Sequence, residues 1–218
     1  NGKTLIIAPH PDDETFGCAG LILKKVAGGT EVNVLFLTNG EQSLTTVPKE
    51  EVAKQRISDA KEVASILGVK ETYFLELTDG KIPRRGSIKY NDSINKLANL
   101  IKELNPEEVY VTHPLDNWSD HTGASELAFD VLKDLENEIA LYYYWVWVWY
   151  SLPFQKISNI RFRNTYFLSI KDVFTYKKQA TEIYLESLAK NGKPYCGKLP
   201  KLFLSAFDWP YEVIEKKL

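Results

Sequence analysis

Two cysteines in 218 residues, Cys18 and Cys196, with neither in a CxxC spacing, leave no disulfide framework to read. Long runs of one charge are also missing. The 27 basic and 29 acidic residues give a formal charge of -2, so nothing builds the basic face that reads a nucleic-acid backbone. The most lipid-like stretch, residues 139–152, is about fourteen residues long, against the roughly twenty that span a bilayer. No succession of basic, apolar and small residues opens the chain as a signal peptide would, and the expected setting is cytoplasmic. Repeats, low-complexity segments and flexible linkers are absent, which fits a single domain over residues 1–218. A nucleotide-binding regulatory domain would suit a parallel sheet. However, there is no GxGxxG turn after the first apolar run and no GxxxxGK[ST] loop.

What is present is an alternation of short apolar runs with helical periods. Residues 4–8 form a continuous apolar run ending at Pro9, the pattern of a strand buried on both faces. A helix is expected over 15–26, closed by Gly28-Gly29, then a strand over 31–38 broken by Asn39-Gly40. Pro48 opens a helix that runs to Leu67 and stops at Gly68. A strand at 71–75, a polar loop at 78–85, a helix at 91–104, a strand at 108–112 and a helix at 121–135 follow. The expected fold class is α/β, a three-layer Rossmann-like arrangement around a mainly parallel central sheet. From about residue 140 the chain turns aromatic. Residues 142–150 have strong strand propensity, 165–170 read as a further strand, 172–189 as a terminal helix and 192–211 as a loop-rich tail.

Open sheets of this kind bind ligands beyond the carboxyl ends of their strands. His10, Asp12 and Asp13 follow the first strand; His113, Asp120 and His121 follow the fourth, so all three histidines of the chain fall at one sheet edge. A catalytic zinc wants about three protein ligands and one open position. His10, Asp13 and His121 would supply two imidazoles and a carboxylate. Asp12 could then take a proton from water, and Glu14 and Asp120 could hold the outer nitrogens of the imidazoles. The spacing favours zinc only modestly over iron, manganese or other divalent metals. A plainer reading makes the acids after the first strand the cap of the next helix, whose free amides and dipole favour carboxylates.

Pro9-His10-Pro11-Asp12-Asp13-Glu14, followed by Gly17 and Gly20, closely resembles the signature of the LmbE-like, or PIG-L, zinc-dependent deacetylases. The likeness continues through Arg56, Asp59, Leu67-Gly68, Asp79-Gly80, Asp116 and Asp120-His121, and more faintly through 178–187, so it covers most of the chain. The resemblance implies one zinc ion per chain on His10, Asp13 and His121, with Asp12 as general base. It also implies an N-acetylglucosamine-containing conjugate as substrate, cleaved to acetate and a free amine, with Arg56 and Asp79 holding the sugar. Arg56 could equally form a surface ion pair with Asp59, and Asp79-Gly80 could be an ordinary turn.

One departure stands out. Many members of the family carry a histidine three residues before the last metal ligand, where this chain has Trp118. Tryptophan transfers no proton. His113 could reach in from its loop or be a hydrogen-bonded loop residue, Asp12 could act as both base and acid, and Trp118 could stack on a sugar ring. A non-sugar N-acyl substrate is the alternative reading, and the rings of 142–150 could be core, a homo-oligomer surface or a glycan contact.

Overall fold

The computed structural model describes residues 2–135, 138–151 and 162–217. Five parallel strands form the centre: β1 (Lys3–Ala8), β2 (Glu31–Thr38), β3 (Glu71–Leu77), β4 (Glu108–Thr112) and β5 (Ala140–Tyr144). Two more, β6 (Thr165–Ser169) and β7 (Tyr211–Lys216), complete a seven-stranded sheet in the order β3-β2-β1-β4-β5-β7-β6, with β7 antiparallel to both neighbours. The expected α/β class with a mainly parallel sheet and helices on both faces is what the structure shows.

Strand β1 explains the layering. Ile6 and Ala8 point into a core shared with Phe16, Ile22, Val63 and Ala180, beneath α1 (Asp13–Ala27), α2 (Lys49–Leu67) and α6 (Phe174–Glu186). Leu5 and Ile7 point the other way, onto Leu97, Ile101 and Leu127 of α3 (Tyr90–Leu104) and α4 (Ser119–Lys133). Alternate side chains of a strand face opposite sides, so a run without polar residues is what a strand covered twice requires. Burying each such aliphatic side chain contributes about 1.5–3 kcal/mol. Helix α1 lies close against the sheet because residue 17 is glycine: a Cβ there would sit 2.2 Å from the Tyr144 ring. The Tyr144 hydroxyl in turn donates to the Ile7 carbonyl at 2.9 Å.

Two expectations for the C-terminal portion need correction. The aromatic run 142–150 is not one strand: β5 ends at Tyr144, and a short helix, α5 (Val148–Ser151), follows. The amides of Val146, Trp147 and Val148 all donate to Asp116 Oδ1, at 3.3, 2.9 and 2.9 Å, which turns the chain out of the sheet. Leu152, the last residue of the apolar stretch, lies outside the described residues. The tail expected to be loop-rich contains α7 (Lys201–Ser205) and leads into β7, a strand the sequence does not announce.

Strand β7 is hard to read because its polar residues point inward. Glu212 is 3 % exposed, and its carboxylate takes the Lys177 ammonium at 2.7 Å and the Gly20 and Leu21 amides at 2.8 Å each. Lys177 also donates to the Phe16 carbonyl at 2.7 Å. The pair therefore enters the side of α1 and joins it to α6 and β7. Removing one partner of a buried ion pair leaves the other charge uncompensated, at about 3–5 kcal/mol. Lys177→Ala is expected to lose that much stability in urea unfolding, and a loss below about 1 kcal/mol would show that the pair does not hold these elements together.

Candidate active site

Strands β1 and β4 are neighbours, and the connections leaving them run to opposite sides, to β2 and to β5. At such a switch point the loops part and leave a crevice. The loop after β1 delivers His10, Asp12 and Asp13; the segment after β4 delivers Asp116, Trp118, Asp120 and His121.

The turn at Asp12 has φ 137°, a value uncommon for any residue but glycine. Contacts from three directions hold it. Glu14 Oε2 accepts the Asp12 amide at 3.0 Å, while Glu14 Oε1 accepts the Thr15 hydroxyl at 2.7 Å and the Tyr184 hydroxyl at 2.8 Å. Arg56 donates to Asp12 Oδ2 at 2.8 Å, to the Gly40 carbonyl at 3.2 Å and to the Pro11 carbonyl. Residue 40, at φ 66°, has no room for a side chain, since a Cβ would lie 2.5 Å from the Arg56 guanidinium. Backbone held in a sparse region costs about 1–3 kcal/mol and persists where its surroundings over-determine it.

The imidazoles lie either side of Asp13. His10 Nδ1 is 3.1 Å from Asp13 Oδ2, and His121 Nε2 is 3.3 Å from Asp13 Oδ1. Their outer nitrogens face other carboxylates: His10 Nε2 is 3.1 Å from both Asp79 Oδ1 and Asp120 Oδ2, and His121 Nδ1 is 2.8 Å from Asp116 Oδ2. One donor atom from each of His10, Asp13 and His121 lies within 4.8 Å of the others, close enough to meet at one divalent ion. Donor atoms of His10, Asp79 and Asp120 lie equally close together, but that group holds a single imidazole, and both oxygens of Asp120 accept backbone amides where Asp13 accepts one on Oδ2 alone, from His10 at 3.0 Å. Gly80 and Ile82 donate to Asp120 at 2.7 and 3.2 Å, and Gln42 to Asp79 at 2.7 Å. Asp79 and Asp120 therefore suit the role of acceptors that fix the far nitrogen of a metal-binding imidazole.

The charges answer one another. Burial alone would lower the His10 pKa, but hydrogen bonds to Asp120, Asp13 and Asp79 outweigh it and raise it well above the ordinary imidazole value. His121 is raised too, the charge of Asp13 and the hydrogen bond to Asp116 overcoming burial. Burial would raise Asp13, yet the two imidazoles hold it below the usual carboxylate range. Asp12 goes the other way: burial pushes it up to about 7, against the pull of Arg56. Cys196 lines the same cleft, but burial pushes its thiol up to about 12, which makes it a poor nucleophile at neutral pH.

Three sequence expectations are placed differently. His113 does not line the cleft: its Nδ1 accepts the Leu115 amide at 3.0 Å and its Nε2 faces Glu215 at 3.0 Å, beneath Tyr143 and Trp145. Glu14 reaches no imidazole and supports the Asp12 turn instead. Arg56 is buried against Asp12, whereas Asp59 accepts from Gln55. Asp79 lines the cleft, as does Trp118, which is 51 % exposed. Tyr184 and Trp147 were not singled out by their own sequence context, and Asp116 carried no assigned role. Only the folded chain shows what they touch.

A model of the family described as PIG-L, GlcNAc-PI de-N-acetylase, matches residues 5–132. A diacetylchitobiose deacetylase of Thermococcus kodakarensis is 30% identical over 135 residues, which are 60% of this chain and 49% of that protein. A probable N-acetyl-alpha-D-glucosaminyl L-malate deacetylase 2 of Bacillus anthracis is 28% identical over 151 residues, 64% of this chain and 63% of that one. The chain thus matches about half to under two thirds of the length of these relatives. The structure of N,N'-diacetylchitobiose deacetylase from Pyrococcus horikoshii superposes with a TM-score of 0.69 at 23% identity, covering 87% of this chain and 72% of that one, which shows a shared fold. The matched residues 5–132 are more than half of the chain and contain the whole cluster from His10 to His121, and the chain belongs to the PIG-L family.

Proposed function

We propose that this protein hydrolyses the N-acetyl group of an N-acetylglucosamine-containing small molecule, using one zinc ion held by His10, Asp13 and His121. The observation that carries the reading is the pairing of that three-donor cluster with a separate buried carboxylate, Asp12, on the adjacent residue. Zinc bound there would supply Lewis acidity, polarising the acyl oxygen and making water more acidic.

The rest falls to the chain itself. Asp12 takes a proton from water as the water oxygen attacks the acyl carbon, and Arg56 holds the carboxylate in place. As the carbon–nitrogen bond breaks, nitrogen needs a proton. His113 is turned away and residue 118 is an indole, so Asp12 returns the proton it took; acetate and a free amine leave. A group with a pKa near the working pH serves both transfers. Arg56, Asp79 and Trp118, which all line the cleft, are assigned to the sugar, the terminal nitrogens of Arg56 also donating to Asp12 and two carbonyls.

Calorimetric titration of metal-stripped protein should give 1:1 zinc binding that is lost in folded His121→Ala. Asp12→Ala should keep zinc but lose about 10²–10⁴-fold in turnover of N-acetylglucosamine conjugates; unchanged turnover removes Asp12 as base, and zinc binding that survives His121→Ala removes the ligand set.

A second prediction concerns pH. Activity needs ionised Asp12, so it is present above the Asp12 pKa and lost as pH falls through it. Arg56 lowers that pKa, as zinc would. Arg56→Gln should therefore move the acid limb of kcat/KM to higher pH; a limb that stays in place shows that the limb belongs to another group.

A further inference from the structure

The cleft has two unlike sides. One is an aromatic wall, where Trp118 tilts over Trp147 at 5.1 Å. The other is made by the loops that leave β2 and β3, which bring in Gln42, Asp79 and Gly80. His10 meets this second side and is the more open imidazole, its side chain 19 % exposed against 2 % for His121. Its outer nitrogen has one proton to give and two carboxylates, Asp79 and Asp120, each at 3.1 Å. Whatever holds those carboxylates therefore sets the direction of the nitrogen that faces Asp13.

A short run of amides does the holding. Residues 79–82 form neither helix nor strand, yet each of their four amides has an acceptor. Asp79 donates to Glu41 Oε1 at 2.9 Å, Gly80 to Asp120 Oδ2 at 2.7 Å, Lys81 to the Thr78 carbonyl at 3.0 Å and Ile82 to Asp120 Oδ1 at 3.2 Å. Asp79 in turn accepts the Gln42 amide on Oδ2 at 2.7 Å, and the Gln42 side chain donates to the Asp79 carbonyl. Bonds between the two loops thus run both ways. Regular pairing of β2 with β3 ends at Thr38 opposite Leu77, so these side chains continue the joint where the ladder stops. Hydrogen bonds from amides to carboxylates are charge-assisted and roughly twice as strong as neutral ones. Glu41 itself adds no donor to the cluster and does not line the cleft. Among the described residues it also meets no lysine, arginine or histidine at ion-pair distance.

We infer that Glu41 is a positioning residue for the metal site: by holding the Asp79 backbone it aims Asp79 Oδ1 at His10 Nε2, and so fixes how His10 Nδ1 is presented to a divalent cation. The inference rests on the reading of His10, Asp13 and His121 as metal ligands and adds to it a residue that touches none of them. Without the Glu41 carboxylate the part-buried Asp79 amide loses its acceptor, which costs free energy. The turn then rotates toward water and carries Oδ1 away from the ring. Asp120 still faces Nε2, held by its own two amides, so the imidazole keeps one acceptor. Loss of the partner that orients a metal-binding imidazole weakens metal binding about 10–100-fold, and with one of two acceptors left the effect belongs at the lower end.

The test is calorimetric zinc titration of the metal-stripped full chain with Glu41→Ala and Glu41→Gln beside it; Glu41 is only half-buried, so both variants are expected to fold. Glu41→Ala should bind zinc about ten-fold more weakly. Glu41→Gln keeps an oxygen for the Asp79 amide and removes only the charge, so it should bind close to the unsubstituted protein. Unchanged affinity in Glu41→Ala overturns the inference, as does a Glu41→Gln variant equally weak, since the effect is then one of charge. Amide hydrogen exchange of the metal-free proteins reads the same contact without zinc. In Glu41→Ala the amides of Gln42, Asp79 and Gly80 should exchange faster while those of β1 keep their protection. Loss of protection throughout the sheet would make Glu41 a general support of the fold and overturns the inference. If the unsubstituted protein takes up no zinc, the ligand reading falls by itself and exchange still decides: faster exchange at the three amides keeps Glu41 as the residue that positions Asp79 against His10, and unchanged exchange removes it.

Discussion

Six carboxylates, those of Asp12, Asp13, Glu14, Asp79, Asp116 and Asp120, crowd the carboxyl edge of β1, β3 and β4, each 8 % exposed or less. Facing them are Arg56, His10 and His121, of which only the guanidinium is charged at every accessible pH. Removing charge from water costs several kcal/mol per ion unless it is compensated, and this imbalance governs the site. Both imidazoles are raised above their ordinary pKa and Asp12 is pushed up to about 7. Each shift moves the cluster toward neutrality by holding protons. Protonated imidazoles against Asp13, at 3.1 and 3.3 Å, occupy the electrostatic place that a divalent cation would fill. Metal binding must displace those protons, so the same crowding that attracts a cation makes its affinity rise with pH.

The crowded edge is supported from far along the chain. Tyr184 of α6 holds Glu14 and through it the Asp12 turn, Lys177 and Glu212 join α6 and β7 to α1, and Glu215 of β7 occupies the ring of His113. The supporting residues Tyr184, Lys177, Glu212 and Glu215 all lie beyond residue 132, where the family match ends. The matched portion thus carries the donors and their immediate partners, and the remainder buttresses that arrangement from behind. A buried turn with φ 137° at Asp12 needs that outside support.

Much of the fold was legible because its signals are local. Gly68 does close α2 in the left-handed conformation, and the continuous apolar run of β1 is buried on both faces. The histidine and aspartate spacing also placed His10, Asp13 and His121 at one edge, since strand order brings the ends of β1 and β4 together. What failed was set by tertiary partners. Residues 211–216 alternate poorly because Glu212 and Glu215 are inside, each with a buried cation or imidazole to meet it. The aromatic run breaks at Tyr144 because a carboxylate thirty residues earlier collects three of its amides. Of the two readings of His113, the hydrogen-bonded loop residue is the one its contacts with Glu215 and the Leu115 amide match, and Glu215 lies too far along the chain to be read locally.

Asp116 joins these threads. One oxygen orients His121, and the other ends β5 and fixes Trp147. A shift of the aromatic wall would therefore be felt at the imidazole, and the reverse. Residue 118 adds a second indole to that wall, one that carries no titratable proton to the rim. The two consequences are compatible only if another group near the cluster exchanges protons close to neutral pH. Asp12, raised by burial and restrained by Arg56, meets that condition. On the proposed reading, an indole at position 118 leaves both proton transfers to Asp12, the carboxylate that burial raises and Arg56 restrains.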